Sequence, residues 1–213
     1  MTILTLLLSL TALVSAAAAI LADYKANRSL VYVLRPLTMV LIILVALQPA
    51  APARSTYRYL ILAGLLACLA GDVFMMLRTK KVMAGMASFF VALLFYIGAF
   101  STGLKLSLAF WPFFVLAVYA FFFGRGLLPH LGRKKIPVIL YVSAMIIMAW
   151  LSAGRYLQMK ELHALSACSG AVLFLISDSA WAMNHFVRKR RLGQILILGT
   201  YFAAQWLIAV SIH

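Results

Sequence analysis

The chain has 213 residues, 66% of them hydrophobic and 11% charged, and nineteen Lys and Arg against four Asp and Glu give a formal charge of +15. An ordinary soluble domain carries about 25% charged residues, so the composition excludes one and predicts an integral membrane protein. The basic residues stand in short clusters between apolar runs of about 18–22 residues, the length that crosses about 30 Å of hydrocarbon, so the charge reads as topology and nucleic acid is not the expected partner.

In chain order, hydropathy and charge predict helices at 2–22, 30–48, 57–77, 82–101, 106–124, 135–153, 161–185 and 192–211, joined by short connections. The expected fold is all-α: a polytopic membrane protein, one bundle of about eight transmembrane helices spanning 1–213, with backbone polar groups satisfied inside each helix. The first run ends in an alanine tract similar to a signal-peptide cleavage region, but it lacks a positive leading segment and is expected to be a retained span.

Alternate connections differ in charge. Those after helices 1, 3, 5 and 7 carry Lys25, Arg28, Arg78, Lys80, Lys81, Arg125, Arg133, Lys134, Lys135 and the run 188–191; the other side carries Arg54, Arg58, Lys105, Arg155 and Lys160. Basic residues favour the cytoplasmic side, so the first set is expected there and both termini outside. Asp72 lies six residues before Arg78, Asp178 ten before Arg188 and Arg35 seven after Arg28. At about 1.5 Å per residue all three fall in the cytoplasmic half, the aspartates roughly 9–15 Å from the basic clusters.

A charge within a bilayer costs about 2.5–3.5 kcal/mol on insertion scales and normally faces a partner or a wet cavity. The structural reading makes Asp72 and Asp178 buried groups neutralised by Arg35 or by protonation, although one Arg balances only one Asp. The functional reading notes that two carboxyl groups sharing a low-dielectric pocket resist ionising together, which supplies an acid and a base in one site. His185, seven residues after Asp178, shares its helical face and reads either as an interfacial histidine or as a substrate contact. Tyr141, Tyr201 and Gln205 read either as lining of a polar cavity or as interhelical hydrogen-bonding groups. Ser177 and Asn184 fall on other faces, and Trp181 and the Met75-Met76 pair read as packing. Cys68, Cys168, His130, His163 and His213 form no metal-ligand spacing, and no serine-hydrolase, zinc-protease or phosphate-loop motif occurs.

Six segments in order carry a family pattern: Arg35-Pro36-Leu37-Thr38; Ala70-Gly71-Asp72-Val73; Tyr96-Ile97-Gly98-Ala99-Phe100; Tyr141 through Met148-Ala149; Phe174 to Phe186; and Tyr201 to Ile208. Together they resemble the YhhN-like lysoplasmalogenase family. The resemblance implies about eight membrane helices, hydrolysis of the vinyl-ether bond of lysoplasmalogens, and Asp72 and Asp178 as the catalytic pair. Two positions depart from the family pattern: Arg35 stands where Lys is usual, and Leu93 where His is common. On this reading the partners are a lysophospholipid substrate and membrane lipids, and no metal or organic cofactor is required. Arg35 is either the phosphate contact or a counter-ion for one Asp. The compact architecture suggests a bacterial inner membrane. Two rival classes remain. An intramembrane aspartyl protease also needs two aspartates, but Leu69 replaces the first glycine of its G-x-G-D motif. A proton-coupled transporter or lipid-binding protein would use the pair without cleaving a bond.

Overall fold

Apolar segments of this length have few options in hydrocarbon, because every backbone N–H and C=O must be paired within the protein, and an α-helix pairs them within its own segment. The computed structural model of the protein describes residues 3–48, 55–77, 82–105, 110–188 and 191–213, and among the described residues all regular structure is helical. The helices are α1 (Ile3–Tyr24), α2 (Arg28–Leu47), α3 (Ser55–Met76), α4 (Val82–Ser101), α5 (Phe110–Leu127), α6 (Lys135–Met159), α7 (Leu162–Ala182) and α8 (Arg191–Val210). Each supplies a span long and apolar enough to cross a membrane, so the protein is an integral, multi-pass, all-helical membrane protein.

Short connections make the chain neighbours α1–α2, α3–α4 and α7–α8 closely packed pairs. Packing continues from α2 to α3, from α4 to α6, from α6 to α7 and from α8 back to α1. Because α8 also touches α2 and α3, it is a central element. By contrast α5 packs mainly on α6, and only 6% of its membrane window is buried; Trp111, Val115, Phe121 and Phe122 are exposed on it. In a bilayer such an apolar surface is matched to lipid chains.

Small residues let the central helices approach closely, since lipid offers no hydrophobic gain and association relies on packing and hydrogen bonds. A Cβ on Gly64 of α3 would lie 2.3 Å from the Tyr96 ring, and one on Gly170 of α7 would lie 2.9 Å from the Ala204 carbonyl of α8. Hydrogen bonds add to this packing: Ser15 of α1 to Thr38 of α2 at 2.8 Å, Tyr57 of α3 to Ser211 just after α8 at 2.7 Å, and the Ser177 hydroxyl of α7 to the Ile197 carbonyl of α8 at 2.9 Å.

The sequence-based boundaries fall within one to three residues of the structure at most helix ends, with two corrections. Helix 6, expected to stop at 153, runs to Met159. Its last turns find polar partners in the α4–α5 connection: the Arg155 guanidinium donates to the Thr102 carbonyl at 2.5 Å and covers the Tyr57 ring at 4.7 Å, while Gln158 accepts from Lys105 N at 2.7 Å and donates to the Gly103 carbonyl at 2.8 Å. Arg155, read as a connection charge, therefore sits buried in a helix, while Arg58, inside the expected helix 57–77, donates to the Leu47 carbonyl at 2.6 Å. Helix 7 does not stay α-helical to 185: it passes into a π-helical turn, Met183–Val187, closed by Arg188 N to the Met183 carbonyl at 3.0 Å. The expected helix 5 start at 106–109, the first residue of helix 1, and the basic residues Arg54, Arg78, Lys80, Lys81, Lys189 and Arg190 lie outside the described residues.

Candidate active site

One end of the bundle, where α2, α4, α6 and α8 begin and α3 and α7 finish, contains a cavity of about 370 Å³. Asp72 reaches it from the last turns of α3 and Asp178 from the last turns of α7. The two carboxyl groups, 106 positions apart in sequence, thus face one cavity. Gly71, immediately before Asp72, gives room to the Phe89 ring of α4, which a Cβ would meet at 2.9 Å.

Each carboxylate is held by a phenol from another helix. The Tyr201 hydroxyl of α8 donates to Asp72 Oδ2 at 2.7 Å, and the Tyr141 hydroxyl of α6 donates to Asp178 Oδ2. Among the described residues the second oxygen of each carboxyl makes no hydrogen bond within the protein, which leaves it for water or substrate. The burial differs: Asp72 is 3% exposed, whereas Asp178 is half-buried. Aromatic packing fixes the Tyr201 ring, with Phe89 edge-on at 5.9 Å and Phe174 tilted at 6.0 Å. A phenol set in place by packing spends little entropy to make such a bond, and the bond is the stronger one at whichever carboxyl group is ionised.

Arg35 enters the same cavity from α2. Its Nε is buried and has no hydrogen-bond partner, and among the described residues it forms no ion pair with either aspartate. An unpaired buried donor is costly, and the charge of Arg35 acts on Asp72 across the cavity. The neighbouring Pro36 lies inside α2 and removes a backbone donor there. Tyr32, three residues before Arg35, donates to the Met76 carbonyl at 2.6 Å, which fastens α2 to the end of the helix that carries Asp72.

At the edge of the cavity His185 is exposed and stacks on Trp181, ring centroids 4.9 Å apart and 11° from parallel, with Phe186 edge-on at 4.8 Å. The π turn sets this cluster at the end of α7; such turns recur at functional sites. Of the residues singled out from sequence, Asp72, Asp178, Arg35, Tyr141, Tyr201 and His185 all line the one cavity.

Gln205 does not. It is fully buried, and its Oε1 accepts from the Tyr96 hydroxyl at 2.6 Å, so it joins α4 to α8 away from the cavity lining. Of the two readings given to Gln205, this contact is the interhelical one. Leu93, where the family commonly has His, lies in the hydrophobic core, so this departure does not alter the cavity lining. The sequence reading missed Gln194, set Ser177 on another face and favoured packing for Met75 and Trp181; all four line the cavity. Gln194 lies seven residues before Tyr201, hence on the same face of α8, and that spacing was the available signal.

Comparison with known proteins gives the same direction. The model of the YhhN family matches residues 30–212. The "Uncharacterized membrane protein YhhN" of Escherichia coli O157:H7 is 32% identical over 193 residues, covering 90% of this chain and 91% of the relative. The "Lysoplasmalogenase TMEM86B" of Mus musculus is 32% identical over 174 residues, 81% of this chain and 71% of the relative. The "Lysoplasmalogenase TMEM86A" of Homo sapiens is 33% identical over 156 residues, 71% and 64% respectively. No solved structure matches the chain.

Proposed function

The chain belongs to the YhhN family, and we propose that it hydrolyses the vinyl-ether bond of lysoplasmalogens, giving a fatty aldehyde and a glycerophospho-alcohol. The observation that carries the reading is one cavity lined by Asp72 and Asp178, each accepting a phenol hydrogen bond, with the unpartnered Nε of Arg35 belonging to the same lining. The relatives named lysoplasmalogenases supply the substrate class. By the distribution of basic residues, the cavity end of the bundle faces the cytoplasm, in a bacterial cell membrane.

The chemistry follows from what a vinyl ether needs. A carboxylic acid protonates the alkene carbon distal to the ether oxygen, and the adjacent carbon becomes an oxocarbenium ion. The other carboxyl group, ionised, lowers the energy of that cation at short range, where low dielectric strengthens the attraction, and takes a proton from the water that adds to it. The hemiacetal then collapses: its C–O bond to glycerol breaks, the hydroxyl proton leaves, and the glycerol oxygen is protonated. Both aspartates return to their starting states. Tyr141 and Tyr201 hold one oxygen of each carboxyl and leave the other free to exchange protons. Arg35 binds the headgroup phosphate by charge-assisted hydrogen bonds, and His185 on Trp181 stands at the cavity edge for the headgroup.

The test is aldehyde release by purified protein from a vinyl-ether lysolipid, set against the saturated ether of equal chain length. Turnover of the first and none of the second supports the reading, because the saturated chain has no carbon to protonate. Movement of the intact lipid across proteoliposomes without cleavage would replace it with the transporter reading.

A further inference from the structure

The site cavity has a second, apolar neighbour. Between the first halves of α4 and α6 lies a groove of about 180 Å³ lined by Met83, Met86, Ala87, Phe90, Pro137, Leu140 and Tyr141. Two of these residues, Met86 and Tyr141, also line the cavity that holds the aspartates. Tyr141 thus presents its hydroxyl to Asp178 while the same side chain forms part of the groove. On the outer side the groove is open to the bilayer: Met83, Ala87 and Leu140 are exposed.

A larger groove exists. About 590 Å³ between α1, α2 and α8, it is lined by residues that include Leu6, Leu10, Ala17 and Trp206, and it shares no lining residue with the site cavity. Size alone would favour it as the place for a lipid chain, but none of its walls is shared with the cavity that holds the carboxyl groups. Continuity selects the smaller groove.

We infer that the α4–α6 groove is the hydrocarbon subsite and lateral entrance of the active site, which receives the single alkenyl chain of the substrate from the bilayer past Met86 and Tyr141. The inference rests on the hydrolase reading and adds to it a place for the tail. The chain carries its vinyl ether at the polar end, so a tail seated between Phe90 and Leu140 delivers that bond past Tyr141 to Asp178. Met86 suits a threshold, since its unbranched thioether adapts to varied shapes. Pro137 lies in the first turn of α6, where no intrahelical donor is lost, and its place in the groove wall is therefore without backbone cost.

The experiment places one indole in each groove. Ala87 and Ala17 are exposed alanines, so Ala87→Trp and Ala17→Trp each fill space facing lipid without entering the core. Turnover is compared for a long-chain (about 16-carbon) and a short-chain (about 6-carbon) alkenyl lysolipid. The expected result is a fall of at least about tenfold in kcat/KM for the long chain in Ala87→Trp, with a change under about threefold for the short chain and for both substrates in Ala17→Trp. Full long-chain activity in Ala87→Trp, or a selective loss in Ala17→Trp, overturns the inference while leaving the hydrolase reading intact. If the wild type releases no aldehyde, the hydrolase reading fails by itself. The groove is then judged by photolabelling with a lysophosphatidylethanolamine bearing a diazirine in its chain: adducts at Met83, Phe90 or Leu140 support it, and adducts confined to Leu6, Leu10 or Leu13 overturn it.

Discussion

Removing one oxygen from Tyr201 isolates what the phenol does for Asp72. In Tyr201→Phe the 2.7 Å hydrogen bond to Oδ2 is lost, while the ring keeps its contacts with Phe89, Phe174 and Phe202 at centroid distances of 5.9, 6.0 and 5.3 Å. The fold is therefore retained. With Asp72 as the ionised member of the pair, the hydrogen bond contributes about 1.5–3 kcal/mol, and at 3% exposure little water replaces the lost donor. If that energy orients Asp72 for the chemical step, kcat/KM falls by about tenfold to about hundredfold, mainly in kcat. Aldehyde release measured against time, with thermal unfolding in detergent as a check on folding, gives both quantities. Activity within about twofold of wild type in a folded Tyr201→Phe protein would refute the reasoning. The same change made in an Asp72→Asn background is expected to cost less in unfolding temperature than in wild type, because the charged acceptor is already gone.

Other expectations follow from the same geometry. Arg35→Lys keeps the charge and is expected to retain activity within about fivefold, whereas Arg35→Met is expected to raise KM by more than about tenfold as the phosphate contact is lost; steady-state kinetics on a lysolipid series separates them. Gly170→Ala puts a Cβ 2.8 Å from Ile208 and 2.9 Å from the Ala204 carbonyl, and overpacking of that backbone contact is expected to destabilise the α7–α8 pair by about 1–3 kcal/mol, seen as a lower unfolding temperature. In ¹⁸O-water the glycerophospho-alcohol is expected to remain unlabelled, since water adds to the alkenyl carbon and glycerol keeps its ether oxygen; label in the alcohol, detected by mass spectrometry, would require cleavage on the other side of the oxygen.

The helices were legible because membrane insertion imposes one physical pattern on sequence, an apolar run bounded by charge, and helix 4 shows it most simply with the same limits, 82–101, by both routes. Where polar residues find partners far away in sequence the pattern fails. Arg155 and Gln158 look like connection residues until the turn at 102–105, which satisfies them, is placed beside them. The π turn at Met183–Val187 has no periodic signature at all. For the site, depth counting brought Asp72, Asp178 and Arg35 to one level because rise per residue is fixed, but rotation about each helix axis is set by packing. That is why Tyr201 and Gln205, four residues apart on α8, were given the same two readings, although the first reaches Asp72 and the second ends on Tyr96. The family segments named the two aspartates; the tyrosine attached to each is known only from three-dimensional contact.

The central claim is that Asp72 and Asp178 act together on one vinyl ether. Aldehyde release from an alkenyl lysolipid by wild-type, Asp72→Asn and Asp178→Asn proteins, each shown to be folded, tests it most directly. The account predicts a stoichiometric aldehyde product from the wild type and a loss of at least about hundredfold in each variant, the scale of general acid–base catalysis. Turnover near wild type in either variant would contradict it.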